Sequence, residues 1–406
     1  MRRTMAAVLA ICAAVAVAGT TYARPAARAA AVPAAAEPAG DGAQQVGTVE
    51  RVGALLDYLG GRSLTLRYPG ASYVKVHFDR LLLVPGDRVV VTDARGGQSR
   101  EVTGPGPRWA MSVDGDTAVV RLLTGTVDPL ALRRRLASLG VGVDRVARGF
   151  TPRERAARAV ADRAKKAGAG RRLAGTEGRT ESICGGFDDK RDAVCYKSSD
   201  PVAYNRSKAV ARLLIDGTEL CSGWRVGPNN RMLTNHHCFA DSATAQNTEV
   251  WFNYECAVCG GFDVLRSTKV WGGDVLATDQ RLDFTLFTVQ DFESVRRYGF
   301  LELDVRDPRR GEELVIAQHP GGDPTMMVMD PPSVRAGGNC SVADPAYDGY
   351  DSGTDVAYYC DTEGGSSGSP VLSRDTDKVV ALHHFGGCPN SGVRIDLIYA
   401  ALSRLL

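Results

Sequence analysis

"TEGGSSGSPVL", residues 362–372, sets three serines among three glycines and then runs into Pro370-Val371-Leu372. The string suits neither a helix nor a packed core, because glycine and serine favour turns. Gly364-Gly365-Ser366-Ser367-Gly368 satisfies G-x-S-x-G with Ser366 at its centre. That elbow, however, belongs to folds of alternating strand and helix with an acid and a histidine downstream. The residues after it here read as strands, so Ser366 is set aside. Ser367 remains as the nucleophile. It needs a base on its Oγ, an acid to orient the base, and backbone N–H groups aimed at a developing oxyanion. The glycines let the chain turn so that the N–H groups of Gly365 and Ser367 face one spot.

The partners lie upstream. "CSGWRVGPNNRMLTNHHC", residues 221–238, brackets two strand-like runs with Cys221 and Cys238, and His237 adjoins the second cysteine. A disulfide there pins the histidine-bearing turn to the preceding strand. Neighbouring residues of an extended chain face opposite ways, so only one of His236 and His237 can face the site; His237 is preferred. In "TDQRLDFTLFTV", residues 278–289, Asp283 heads an apolar strand. A carboxylate there can be buried and still reach a histidine. Cys340 and Cys360 would staple the loop before the nucleophile.

The N-terminus "MRRTMAAVLAICAAVAVAGTTYA" has a charged start, an apolar run and a small-residue cleavage site, the pattern of a signal peptide over residues 1–23. No later stretch is long and apolar enough to span a bilayer, so the processed chain is expected to be secreted and free of the membrane. Of ten cysteines, Cys12 lies in the signal and the other nine fall between Cys184 and Cys388. Disulfides are the default outside the cell, and an odd count leaves one thiol over.

An Ala/Pro-rich leader covers residues 24–45. Residues 46–126 alternate as strands between Pro-Gly and Asp-Gly turns, which suggests a small β-sandwich; the pattern resembles the jelly-roll accessory domains of some secreted bacterial peptidases, and that resemblance implies a pro- or accessory domain. "DPLALRRRLASL" and "TPRERAARAVADRAKKAG" each open with an N-cap followed by Pro. They place a basic helical segment and a cleavable linker over 127–181. From residue 182 to 406, short strands recur between Gly, Pro and Asn turns, an all-β pattern.

With Thr-x-x-His-Cys, Asp-Phe-Thr-Leu and Gly-x-Ser-Gly-x-Pro in that order, residues 182–406 resemble the chymotrypsin-like (trypsin-like) serine peptidases, and most of all the bacterial lysyl and glutamyl endopeptidases. The resemblance implies two six-stranded β-barrels, with His237 as general base, Asp283 as its orienting acid, Ser367 as nucleophile, and Gly365 and Ser367 as the oxyanion hole. It implies that Cys184 pairs with Cys388 and Cys195 with Cys256 or Cys259. It places Thr362 and His384 in the primary substrate pocket. In the glutamyl enzymes such a pair binds a substrate carboxylate. The lysyl enzymes use an extra acid, and Pro389-Asn390-Ser391-Gly392-Val393 contains none, which leans towards cleavage after Glu or a small polar residue, while the acidic domain with Glu363 and Asp361 close by sets up a field that favours Lys or Arg, so both remain open. The residue before the nucleophile is Ser366, where the vertebrate digestive enzymes have Asp, so their activation switch is absent and any zymogen control must be steric or electrostatic.

The charge is unevenly placed. Residues 131–180 carry 14 Lys/Arg against 4 Asp/Glu, net +10, and residues 181–406 carry 21 against 32, net −11. The basic stretch is expected to lie against the acidic domain rather than to bind nucleic acid. Cys256-x-x-Cys259 lacks a second ligand pair for zinc. Asp344, Asp348, Asp351 and Asp355 lack the spacing of a calcium loop. No metal or cofactor is expected. The function implied is a secreted endopeptidase acting on proteins or peptides through an acyl-enzyme. The competing reading is an inactive peptidase fold that serves as a binding or adhesion protein.

Overall fold

The computed structural model describes residues 43–58, 61–104, 106–125, 140–158, 160, 182–330 and 340–406. The signal sequence, the leader as far as residue 42, "DPLALRRRLASL" and the linker at 161–181 lie outside the described residues.

After a two-residue strand, β1 (Gln44–Gln45), the N-terminal region contains β2 (Gly47–Leu56), β3 (Ser63–Arg67), β4 (Tyr73–Leu81), β5 (Arg88–Asp93), β6 (Ser99–Val102), β7 (Arg108–Trp109), β8 (Val113–Asp114), β9 (Thr117–Leu123) and β10 (Val141–Gly149). They form two antiparallel sheets, β2-β10-β4-β7 with β8 also on β4, and β3-β9-β5-β6. Val76, Phe78, Val89, Val91, Val120 and Val146 are buried in one shared core, the arrangement of a β-sandwich.

One expectation is corrected here. Residues 141–149 belong to no helical segment; they form β10, which lies between β2 and β4. Val141, Val143 and Val146 point into the core across a bulge between Val143 and Arg145. β-branched residues favour this pleated environment. The charges of the strand are held at its margins, Asp144 on His77 and Arg148 on Glu50 and Glu154. Among the described residues of this segment, helix is found at 152–158. There Thr151 Oγ1 accepts from the Glu154 N–H, and the Glu154 carboxylate accepts from the Thr151 N–H, a reciprocal cap.

The C-terminal region contains β11 (Arg191–Asp192), β12 (Val210–Ile215), β13 (Glu219–Arg225), β14 (Met232–Thr234), β15 (Glu249–Phe252), β16 (Thr268–Asp279), β17 (Phe284–Val289), β18 (Leu314–Gln318), β19 (Met326–Met329), β20 (Val342–Tyr347), β21 (Asp355–Tyr358), β22 (Pro370–Ser373), β23 (Val379–Phe385) and β24 (Asn390–Arg394). The order β13-β12-β15-β16-β17-β14 closes on itself through β14–β13, making a six-stranded barrel. Leu213, Val250, Phe252 and Phe287 fill it. The other sheet runs β11-β19-β18-β22-β23-β24-β21-β20, eight strands in place of the six expected. Among the described residues, a bridge between Glu313 and Ser341, flanked by backbone hydrogen bonds from Leu314 to Cys340 and from Val342 to Glu312, ties it back. Trp224, Leu286, Met327, Leu382 and Ile395 belong to the core that joins the two halves.

The sandwich meets the barrel through buried charge. Lys75 Nζ lies 3.0 Å from Glu249 Oε1, with both side chains wholly excluded from solvent. Glu249 also accepts from the Ser112 N–H and hydroxyl, and Lys269 reaches Asp114 at 2.7 Å. Burial pushes the Glu249 carboxyl up, but the two ammonium groups and Ser112 outweigh it and hold the group down at about 2.

Candidate active site

β14 ends at Thr234 and the chain turns through Asn235, His236 and His237. The turn is tied on both sides: Cys238 is joined to Cys221 on β13, and Asn235 Nδ2 donates to the Asp283 carbonyl at 2.8 Å. Asp283 precedes β17 with φ +40°, a left-handed conformation rarely adopted outside glycine. This aims a 1% exposed carboxylate at the histidine turn. Its Oδ1 accepts the His237 N–H at 3.0 Å, and its Oδ2 lies 2.7 Å from His237 Nδ1. His237 Nε2 is buried without a hydrogen-bond partner among the described residues. His236 points elsewhere, to Thr278 Oγ1 at 2.9 Å.

The serine loop packs against the same two strands. The Ser222 N–H donates to the Ser367 carbonyl at 2.8 Å, and Ser222 Oγ donates to the Gly365 carbonyl at 2.9 Å. Gly368, at φ +84°, leaves no room for a side chain: a Cβ would stand 2.2 Å from the Ser222 carbonyl oxygen and 2.5 Å from Thr234 Oγ1. The loop is thus held against the strand that leads into His237. The Gly364 carbonyl accepts from the Gly321 N–H and the Ser366 carbonyl from the Ser369 N–H. A trans peptide sets N–H opposite C=O, so the N–H groups of Gly365 and Ser367 turn away from these bonds.

His384, on β23, has both of its ring nitrogens engaged. It is buried, with Nδ1 3.0 Å from Asp283 Oδ2 and Nε2 2.7 Å from Asp355 Oδ2. Burial disfavours its charge, but Asp355 and then Asp283 outweigh this and push it up to about 9. Both ring nitrogens therefore donate, and neither is left for a substrate carboxylate. Burial likewise raises the Asp283 carboxyl, while His237 and His384 together hold it below the ordinary range. Thr362 is buried and its Oγ1 has no partner among the described residues. Asp361 accepts the N–H groups of Cys184 and Asp189.

Asp355 is the site residue that sequence reasoning missed. It stood in an acidic loop with Asp344, Asp348 and Asp351, and only the fold separates it from them. Asp351 pairs with Arg281, Asp344 with Arg310, and Asp348 Oδ1 accepts from Ser352 Oγ and the Gly353 N–H. Asp355 turns inward to His384 and Ser391. His319 is fully buried and driven down to about 3 by desolvation, so it is neutral; its N–H donates to Ser222 Oγ beneath the serine loop.

The cysteines pair as Cys184–Cys388, Cys195–Cys259, Cys221–Cys238 and Cys340–Cys360, and Cys256 keeps a buried thiol. Cys259 was one of the two partners open to Cys195. Cys221, His237 and Cys238 lie close enough to resemble a metal site, but the two sulfurs are bonded to each other.

Residues 221–382 match the family model of the trypsin-like peptidase domain. The secreted RxLR effector protein 73 of Plasmopara viticola is 34% identical over 224 residues, 53% of this chain and 54% of that protein. The chain thus spans about half the length of this curated relative. Among solved structures, a Glu endopeptidase in complex with MPD covers 54% of this chain and 99% of its own, at 18% identity and a TM-score of 0.39. The active form of the Rv3671c protease from M. tuberculosis covers 58% and 94%, at 14% identity and a TM-score of 0.38. Residues 221–382 therefore carry the fold of a trypsin-like peptidase domain.

Proposed function

We propose that the protein is a secreted serine endopeptidase that cleaves proteins or peptides through Ser367, His237 and Asp283. The observation that carries this reading is the 2.7 Å contact of His237 Nδ1 with buried Asp283, with His237 Nε2 left without a hydrogen-bond partner among the described residues. Asp283 fixes the tautomer in which Nδ1 carries hydrogen and Nε2 can accept a proton. Ser367 Oγ attacks the scissile carbonyl as its proton passes to His237 Nε2. The N–H groups of Gly365 and Ser367 stabilise the oxyanion. His237 then protonates the leaving amine, and the acyl group stays on Ser367. Water, deprotonated by His237, attacks the ester, and collapse of that intermediate returns the proton to Ser367.

Four disulfides support an extracellular setting. The N-terminal sandwich acts as a pro-domain, loosened or released in a process that begins with cleavage of the linker near Arg171 to Arg179. The long-range pairing of +10 against −11 has limited support among the described residues: Arg155 reaches Asp323 at 3.8 Å, while Arg145 and Arg148 pair within the sandwich and its flanking helix. The contact of the sandwich with the barrel rests instead on Lys75, Glu249 and Lys269. The primary pocket keeps Thr362 as a polar group but lacks a free nitrogen on His384, so the pocket suits a small polar side chain better than Glu.

A second reading, a binding protein on an inactive peptidase fold, is favoured by the relative named as a secreted effector. A fluorophosphonate probe separates the two. Labelling that is lost in Ser367→Ala supports the peptidase, and no labelling of the chain with or without its N-terminal region refutes it.

A further inference from the structure

β1 is too short to stabilise itself, yet it adds a strand to the barrel at a particular place. Gln44 pairs antiparallel with Leu220 and Gln45 with Glu219, on the edge of β13. The next two residues of β13 are Cys221, joined to the cysteine after His237, and Ser222, which holds the serine loop by two hydrogen bonds. Leu220 itself abuts Gly365: a Cβ on that glycine would lie 2.5 Å from Leu220 Cδ2. Ala43 packs against the cluster that contains Cys221 and Cys238. Gln44 Oε1 stands 1.9 Å from the point where a Cβ on Gly364 would be, one residue before the proposed oxyanion donor. The segment therefore lies along the proposed site, between the disulfide of the histidine turn and the serine loop.

Its direction gives it a meaning. β13 runs from Glu219 towards Cys221 and the histidine turn. An antiparallel neighbour starts near the site and runs away from it, as Ala43 to Gln45 do. In a peptide being cleaved, the half that leaves the enzyme as an amine has this polarity, with its first residue nearest the nucleophile. An extended peptide added to a sheet edge is held by main-chain hydrogen bonds, which do not depend on its sequence.

We infer that residues 43–45 occupy the leaving-group side of the cleft as a built-in competitor, so that the intact chain excludes substrates that extend past the scissile bond. This rests on the peptidase reading above. The strand is tethered directly to the sandwich. The N–H groups of Val46 and Gly47 donate to the Thr218 carbonyl at 2.8 and 3.1 Å, and Tyr73 Oη donates to the Gly217 carbonyl at 2.7 Å. Arg158, in the helix before the linker, donates to Gln45 Oε1 at 2.9 Å. A tether of one residue gives an effective concentration that free substrate does not match. Because the buried Lys75–Glu249 pair holds the sandwich on the barrel, cutting the linker alone does not empty the cleft. β1 must itself be removed, or the sandwich must dissociate.

The test compares three intact, uncut chains: the processed full-length chain, the same chain lacking residues 1–42, and the same chain lacking residues 1–45. Each is assayed for fluorophosphonate labelling of Ser367, for hydrolysis of a small ester with a compact leaving group, and for cleavage of peptides extending three residues past the scissile bond. The expected result is a rise of tenfold or more in kcat/KM for the extended peptide when residues 1–45 are absent. Loss of residues 1–42 alone gives a much smaller rise, and ester hydrolysis changes by less than about twofold. Equal cleavage of the extended peptide by all three chains, with equal labelling, overturns the inference and leaves the peptidase reading standing. Labelling that disappears with residues 43–45 also overturns it, because the segment would then build the site rather than fill it. An absence of labelling in every form refutes the peptidase reading and the inference with it.

Discussion

Asp283 Oδ2 serves two imidazoles at once, His237 Nδ1 at 2.7 Å and His384 Nδ1 at 3.0 Å, and His384 in turn holds Asp355 at 2.7 Å. The result is a buried carboxylate–imidazolium–carboxylate chain ending on the proposed base. The positive charge of His384 offsets the negative charge of Asp283 and so tempers the attraction of Asp283 for a protonated His237. Deprotonating His384 removes that counterweight.

His384 is raised from an ordinary 6.5 to about 9, so its contribution to folding is fully present below about 6.5 and is lost as pH rises through about 9. Thermal unfolding of the Ser367→Ala chain should show a melting temperature that falls between these values, and the fall should be absent from a Ser367→Ala, His384→Gln double variant. In the active chain, His384→Gln should lower kcat and abolish any step near pH 9 in the kcat/KM profile. An unchanged profile would leave His384 a packing residue only.

The two adjacent histidines should separate cleanly. Ser367→Ala and His237→Ala should each cut peptide hydrolysis by on the order of 10⁴ or more with folding retained. His236→Ala loses one bond to Thr278 at the surface and should keep most of the activity. Circular dichroism alongside the rates distinguishes lost chemistry from lost structure.

Breaking the charge contact under the sandwich should be costly. Glu249→Gln leaves Lys75 buried without a counter-ion, a change worth about 3–5 kcal/mol. Urea unfolding should show that loss, whereas Arg309→Ala, at the exposed pair with Asp375, should cost less than about 1 kcal/mol.

The loop behind the nucleophile should tolerate no side chain. Gly368→Ala combines φ +84° with overlap on the Ser222 carbonyl and Thr234 Oγ1, neither at the end of a flexible chain. A loss of more than about 2 kcal/mol is expected, with fluorophosphonate labelling slowed in the fraction that folds. Stability and labelling close to those of the parent chain would show that the loop shifts to make room.

Cys256 should behave as an inert thiol. It is buried and pushed up to about 11, chiefly by desolvation and then by Asp192. Iodoacetamide at pH 8 should leave it unmodified in the native chain and add one carbamidomethyl group after unfolding without reduction. Modification of the native chain at the rate of a free thiol would contradict the packing around it.

Local chemistry is legible along the chain: a glycine- and serine-rich turn before Pro370, a histidine beside a disulfide-forming cysteine, an acid heading an apolar strand, and strands marked by β-branched residues. These are readable because each depends on neighbours along the chain. The remaining features depend on contacts between distant parts of the chain. Val141–Gly149 reads as the continuation of a basic helical segment until β2 and β4 supply the two ladders that make it a strand. Asp355 is one of four similar acids until the fold of β21 against β24 buries it on His384. His384 stands on a strand, and a strand does not say which of its faces a carboxylate 101 residues away will meet. Gln44 and Gln45 carry no signal at all, because what holds them is the backbone edge of β13, and backbone hydrogen bonds leave no mark in side-chain sequence.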